Sequence, residues 1–173
     1  MVEKEQVLVA EIEKEFEPVI GYKSIKNEMI KICDIMRNSK FYSKLGVSVP
    51  NGLLLSGDPG LGKTLMANCF IKASGRKAFT CRKDKPDGDF VNHIKSTFDE
   101  AVKNTPSIVF LDDMDKFSAN GDRHHRNSEE FVTVQSCIDD AKNKDVFVFL
   151  SIIDEDVIPV SLFCAGSFDN RFE

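Results

Sequence analysis

Apolar residues along this 173-residue chain follow two rhythms. Short, nearly continuous runs occur at Leu53-Leu54-Leu55, Ile108 to Leu111 and Val146 to Leu150, and such runs mark strands buried on both faces of a parallel sheet, with Ala78 to Cys81 a plausible further strand. Between them the apolar positions recur every three or four residues, the spacing that gives a helix one inward-facing stripe. Ile25, Met29, Ile32, Met36 and Phe41 predict a long helix from about Lys23 to Lys44, and a shorter one is expected over Leu65 to Ser74. Phe90, Ile94, Phe98 and Ala101 predict a third, closed by Thr105-Pro106, and Phe131, Val134, Ile138 and Ala141 a fourth over Glu129 to Lys142. Strand and helix therefore alternate, which makes the fold class α/β with a mostly parallel, doubly wound sheet between helical layers. Residues 2 to 17 are rich in Glu and Lys, with Leu8, Ile12 and Phe16 at helical spacing, and read as a lone amphipathic helix or a leader that Pro18 ends. Residues 18 to 173 are then one domain, and a further strand beginning at Phe172 is expected to be cut short.

Composition narrows the partners. A net charge of -5 and a pI near 5.3 argue against a surface that covers nucleic acid or anionic lipid. The five cysteines are scattered and odd in number, and they read as reduced thiols among apolar neighbours. Neither a CxxC pair nor an HExxH is present, so no cysteine zinc site or metalloprotease chemistry is legible. The longest apolar run, Val146 to Ile153, falls well short of the roughly 20 residues of a membrane helix. Met1 is followed at once by Glu3, Lys4 and Glu5, which is no secretory signal, so cytoplasmic residence is expected, with any membrane anchor encoded outside these residues.

One stretch carries chemistry. Gly57-Asp58-Pro59-Gly60-Leu61-Gly62-Lys63-Thr64 lies between the first buried strand and the helix that opens at Leu65. Glycines let a backbone wrap closely around an anion with its amides inward, and the following helix adds the positive end of its dipole. A glycine-rich turn could be only a turn. Here, however, the glycines, lysine and threonine all stand where a phosphate-binding loop requires them, in a strand-loop-helix setting. Asp58 to Leu65 would cradle the phosphates of ATP or ADP, Lys63 would reach the terminal ones, and the Thr64 hydroxyl would bind magnesium.

The strand Ile108 to Leu111 ends in Asp112-Asp113-Met114-Asp115. Acidic residues often do no more than end a strand and cap the next helix. Ligands of such sheets sit at the carboxyl ends of strands, though, which would bring these aspartates beside the phosphates. Asp112 would hold the magnesium through water, and Asp113 would orient or deprotonate the attacking water.

Together these segments resemble an AAA+ ATPase of the FtsH-like branch, from about Val19 to Asp169. Gly57 to Thr64 is similar to that family's Walker A motif and Ile108 to Asp113 to its Walker B. Phe41 to Leu55 is close to the family's approach to Walker A, and Ala165-Gly166-Ser167-Phe168-Asp169-Asn170 to its RPGRFDR segment. The resemblance implies the three-layer αβα P-loop NTPase subdomain, with the helical lid absent from these residues. It also implies contact of Val19-Ile20-Gly21 with adenine, homo- or hetero-oligomeric rings, and a polypeptide client.

The departures fall on the parts that turn binding into hydrolysis. The family's catalytic glutamate is here Asp113, one methylene shorter, and a misplacement of about 1 Å can cost about a hundredfold in rate. Its sensor asparagine aligns with Ile153, after Ile152, and neither side chain can hydrogen-bond water or phosphate. The arginines that reach a neighbouring subunit's nucleotide align with Cys164 and Ser167, while Arg171 lies out of register. The segment matching the aromatic pore loop, Lys83 to Gly88, has no aromatic residue. Two readings follow: an ATP-binding module with weak or partner-dependent hydrolysis by Lys63, Asp112 and Asp113, or a scaffold that binds ATP without turnover.

Other signals are weaker. Arg123-His124-His125-Arg126 lacks a third ligand at useful spacing and reads as a solvated loop, and His93 as a surface histidine. The cations Arg82, Lys83 and Lys85 alternate with Asp84, Asp87 and Asp89, which neutralise them as a partner-binding patch.

Overall fold

Each buried strand alternates its side chains between two separate cores. Leu54, Val109, Leu111, Val148, Leu150 and Ile152 face one side, against Phe90, Ile94, Phe98, Phe131, Val134 and Ile138. Leu53, Leu55, Ile108, Phe110, Phe147 and Phe149 face the other, against Met29, Ile32, Met66 and Phe70. A strand apolar on both faces needs a helical layer on each, which is why the apolar runs yield three layers.

The computed structural model describes residues 2–84, 89–117, 128–159, 161–162, 168 and 170–173. In chain order the elements are α1 (Val2–Glu15), α2 (Lys23–Arg37), α3 (Ser39–Lys44), β1 (Gly52–Ser56), α4 (Lys63–Ser74), β2 (Lys77–Arg82), α5 (Phe90–Lys103), β3 (Ser107–Asp112), α6 (Glu129–Ala141), β4 (Val146–Ile152) and β5 (Asn170–Phe172). Single 3-10 turns follow β3 at Met114–Lys116 and β4 at Glu155–Val157. The sheet order is β2-β3-β4-β1-β5, and every pairing is parallel. Helices α1, α2 and α4 cover one face, α5 and α6 the other.

Two expectations need correcting. The helix predicted from Lys23 to Lys44 is two helices, because Asn38 leaves helical geometry at φ -107, ψ 28. Its side-chain amide donates to Asp34 Oδ1 at 2.7 Å, and the Tyr42 hydroxyl donates to Asp34 Oδ2 at 2.5 Å, so one carboxylate pins both sides of the break. The last strand does form: Asn170, Arg171 and Phe172 pair with Leu53, Leu54 and Leu55.

Helix α1 lies in the same layer as α2 and α4. Ile12 and Phe16 are buried in the second core, and Arg37 of α2 meets Glu11 at 3.6 Å. Cys33, Cys69 and Cys81 are buried free thiols and Cys137 is half-buried, as their apolar neighbours suggest, whereas Cys164 lies outside the described residues. Burial pushes the Cys81 thiol up to about 12, so it packs as a small hydrophobe.

Phe149 is fully buried between Phe70 and Phe110, with ring centroids 5.3 Å and 5.5 Å away in edge-on geometry. Truncation there removes the ring and leaves a cavity, so Phe149→Ala is expected to cost about 3–5 kcal/mol. Urea unfolding followed by circular dichroism checks this, with Val132→Ala on the exposed face of α6 as a control expected within about 0.5 kcal/mol of the parent.

Candidate functional site

Strand β4 separates β1 from β3, so the carboxyl ends of the three strands lie side by side. Ser56 pairs with Ile152, Leu111 with Leu150, and on the far side of β3 Arg82 pairs with Asp112. The register therefore brings together the glycine loop after β1, the aspartates after β3, the end of β4 and the end of β2.

The loop itself depends on left-handed backbone. Gly60 and Gly62 have φ of 88° and 87°, a region that side-chain-bearing residues avoid, and Gly62 is the residue from which α4 starts. The first amides of α4 have no acceptor within the helix and form the positive end of its dipole. Lys63 Nζ turns back over the loop and donates to the carbonyls of Gly57 at 2.5 Å and Asp58 at 3.0 Å. A cleft of about 430 Å³ opens here, with Pro59, Gly60, Gly62, Lys63, Thr64 and Leu65 on one wall and Asp113, Lys116 and Ile153 on the other.

Asp112 lies at the base of this assembly, 2% exposed. Its Oδ1 accepts from the Ser151 hydroxyl at 2.8 Å and from the Thr64 hydroxyl at 3.2 Å. Its Oδ2 accepts from Arg82 Nη1 at 3.1 Å. The hydroxyl of Thr64 and the carboxylate of Asp112 thus meet across the gap between α4 and β3, a pair of hard oxygen ligands of the kind magnesium takes. Among the described residues no group of three or more His, Cys, Asp or Glu side chains is placed to hold a metal by itself.

Asp113 differs from its neighbour. Its backbone is left-handed, φ 52 and ψ 53, and its amide donates to Ser151 Oγ at 2.9 Å. Its carboxylate meets two cations, Lys116 Nζ at 2.7 Å and Arg82 Nη2 at 3.4 Å. Ile153, where hydrogen-bonding chemistry would be expected, contributes an aliphatic wall to the cleft, and its amide is held by the Asp115 carboxylate at 2.8 Å.

Ile20 is 91% exposed beside Gly21, whose φ is 83°, in the turn between α1 and α2. Leu61 and Leu65 are exposed at the loop and the first turn of α4. His93 is exposed on α5. Cys164, Ser167, the Arg123 to Arg126 stretch and Lys85 to Gly88 lie outside the described residues. Lys83 is a tethered side chain rather than a free one. It donates to the Phe117 carbonyl at 2.8 Å and to Glu130 Oε1 at 3.1 Å, above the Phe90 ring.

Sequence reasoning missed Ser151 and Arg82. Ser151 had a signal, a hydroxyl inside an otherwise apolar strand. Arg82 had none, because its neighbours in sequence suggested neutralisation, and only the β2–β3 register shows which carboxylates it reaches.

A parallel sheet with a glycine loop, a lysine and a threonine after its first strand, and a buried aspartate after its third, defines the P-loop nucleotide-binding class. Within that class the chain belongs to the ATPase family associated with various cellular activities (AAA), whose family model matches residues 53–173. It is similar to the ATP-dependent zinc metalloprotease FtsH of Leptotrichia buccalis, 31% identical over 170 residues that cover 90% of this chain and 22% of that protein. It is also similar to the mitochondrial inner membrane m-AAA protease component yta12 of Schizosaccharomyces pombe, 28% identical over 176 residues, 93% of this chain and 22% of that one. FtsH 2 of Phytoplasma mali is 28% identical over 184 residues, 99% of this chain and 26% of its own. The chain spans about a quarter of the length of these curated relatives. No helix among the described residues is long and apolar enough to cross a membrane.

Ser151 joins the two aspartates by accepting from one and donating to the other, and it is fully buried. Ser151→Ala leaves a buried carboxylate oxygen and an amide each short of a partner, so a loss of about 1–3 kcal/mol is expected in urea unfolding. Ser151→Thr, which keeps the hydroxyl, is expected to recover part of it.

Proposed function

We propose that this chain is an ATP-binding AAA+ module with magnesium-dependent hydrolysis that is weak or depends on a partner. The observation that carries this reading is the cleft lined by Lys63, Thr64 and Asp113, with the Thr64 hydroxyl bonded to the buried Asp112 beneath it. In this proposal Asp58 to Leu65 hold the phosphates, Ile20 and Gly21 lie against the base, Lys63 compensates terminal phosphate charge, and Thr64 and Asp112 hold magnesium. Magnesium, when bound, would offset the charge of the triphosphate. Asp113 would orient the attacking water. Residues 18–173 form the nucleotide-binding subdomain, with α1 packed as its N-terminal extension.

Weak turnover is supported by two features of the site. The Asp113 carboxylate is engaged by Lys116 and Arg82, and the aliphatic Ile153 cannot align a water. These same features favour a second reading, a regulatory scaffold that binds ATP without turnover. By kinship with the AAA family, either form would act in an oligomeric ring on a polypeptide client, in the cytoplasm or tethered by an anchor encoded elsewhere.

Isothermal titration of the chain with ATP and magnesium is expected to show saturable binding that Lys63→Ala weakens at least about tenfold, since a charge-assisted phosphate contact is lost. No heat with the parent chain overturns nucleotide binding. A slow steady-state phosphate release that disappears in Lys63→Ala supports the enzyme, and release equal to that of the variant leaves the scaffold. In the scaffold case, Asp113→Glu with Ile153→Asn is expected to raise turnover little.

A further inference from the structure

Arg82 contacts both aspartates that follow β3 at the acidic side of the candidate nucleotide site. Its α-carbon is fixed by the β2–β3 ladder directly opposite Asp112. The next residue, Lys83, is tethered by the Phe117 carbonyl and Glu130 and is nearly buried, 10% exposed, so the end of β2 has little freedom to withdraw. From that position the guanidinium reaches three carboxylates: Asp112 Oδ2 at 3.1 Å, Asp113 Oδ2 at 3.4 Å and Asp84 Oδ1 at 2.9 Å. Asp112 is thereby supplied with a cation on one oxygen, while its other oxygen is taken by Ser151 and Thr64. Lys116 adds a second positive charge on Asp113.

We propose that Arg82 is a resident cation of the nucleotide site, which supplies at Asp112 charge compensation that magnesium would otherwise provide and so makes nucleotide binding only weakly dependent on magnesium. The inference rests on the nucleotide-binding reading above and goes beyond it, because it assigns a specificity role to a residue outside both phosphate motifs. A divalent cation entering beside Thr64 and Asp112 meets a guanidinium that is paired with the same carboxylate, and like charges within a few ångströms repel, here tempered by solvent because the guanidinium side chain is 41% exposed. Metal and arginine therefore compete for one acidic group, and removing the arginine strengthens the coupling between metal and nucleotide.

The test is calorimetric titration of the whole chain with ADP and with ATP, each in magnesium and in EDTA, for the parent, Arg82→Ala and Arg82→Gln. The parent is expected to change its dissociation constant less than about threefold between the two conditions, and both variants at least about tenfold, because the competing charge is gone. Arg82→Gln keeps a hydrogen-bonding side chain without the charge and serves if the alanine variant fails to fold, as judged by circular dichroism. An identical magnesium dependence in parent and variants, or a parent that binds only with magnesium, overturns the role of Arg82 while leaving nucleotide binding intact. Absence of binding in every condition overturns both.

Discussion

A buried carboxylate has to be matched by donors or it costs several kcal/mol, and in this molecule that requirement organises the carboxyl end of the sheet. Asp112 closes β3 with 2% of its surface exposed, and the groups that satisfy it come from different elements: Ser151 from β4, Thr64 from α4, and Arg82 from β2. One charge thus ties together β2, β3, β4 and the helix that follows the phosphate loop. The relative position of loop and aspartates follows from how that charge is paired.

In the proposed function the same network separates binding from turnover. Features suited to holding phosphate lie in the backbone: left-handed Gly60 and Gly62, and the unpaired amides that begin α4. They need little from neighbouring side chains. Features suited to activating water lie in side chains at the opposite wall, and there the chain carries Asp113 between two cations and Ile153 with no polar atom to offer. A loop that relies on main-chain geometry tolerates such changes, because they leave its glycines and its helix untouched. Binding without efficient hydrolysis is therefore a physically coherent state for this fold and not a damaged one.

The architecture was largely legible because it rests on short-range patterns. Apolar runs at Leu53–Leu55, Ile108–Leu111 and Val146–Leu150 have no wet face, so they had to lie between two helical layers. Where the reading slipped, a local competitor decided. Asn38 with Asp34 and Tyr42 split the helix expected from Lys23 to Lys44, and three residues of β5 found partners on β1 that a pattern of three cannot announce.

The sequence alone determined the phosphate loop, the pairing of that loop with an acidic strand end, and the substitutions at Asp113 and Ile153, since each is a matter of residue type at a fixed spacing along the chain. Tertiary structure alone decided the partners of those residues. Arg82 is thirty residues from Asp112 and Ser151 thirty-nine, and no periodicity links such positions. Only the parallel register, set by burial of the strands, places a guanidinium and a hydroxyl on the carboxylate that the loop faces.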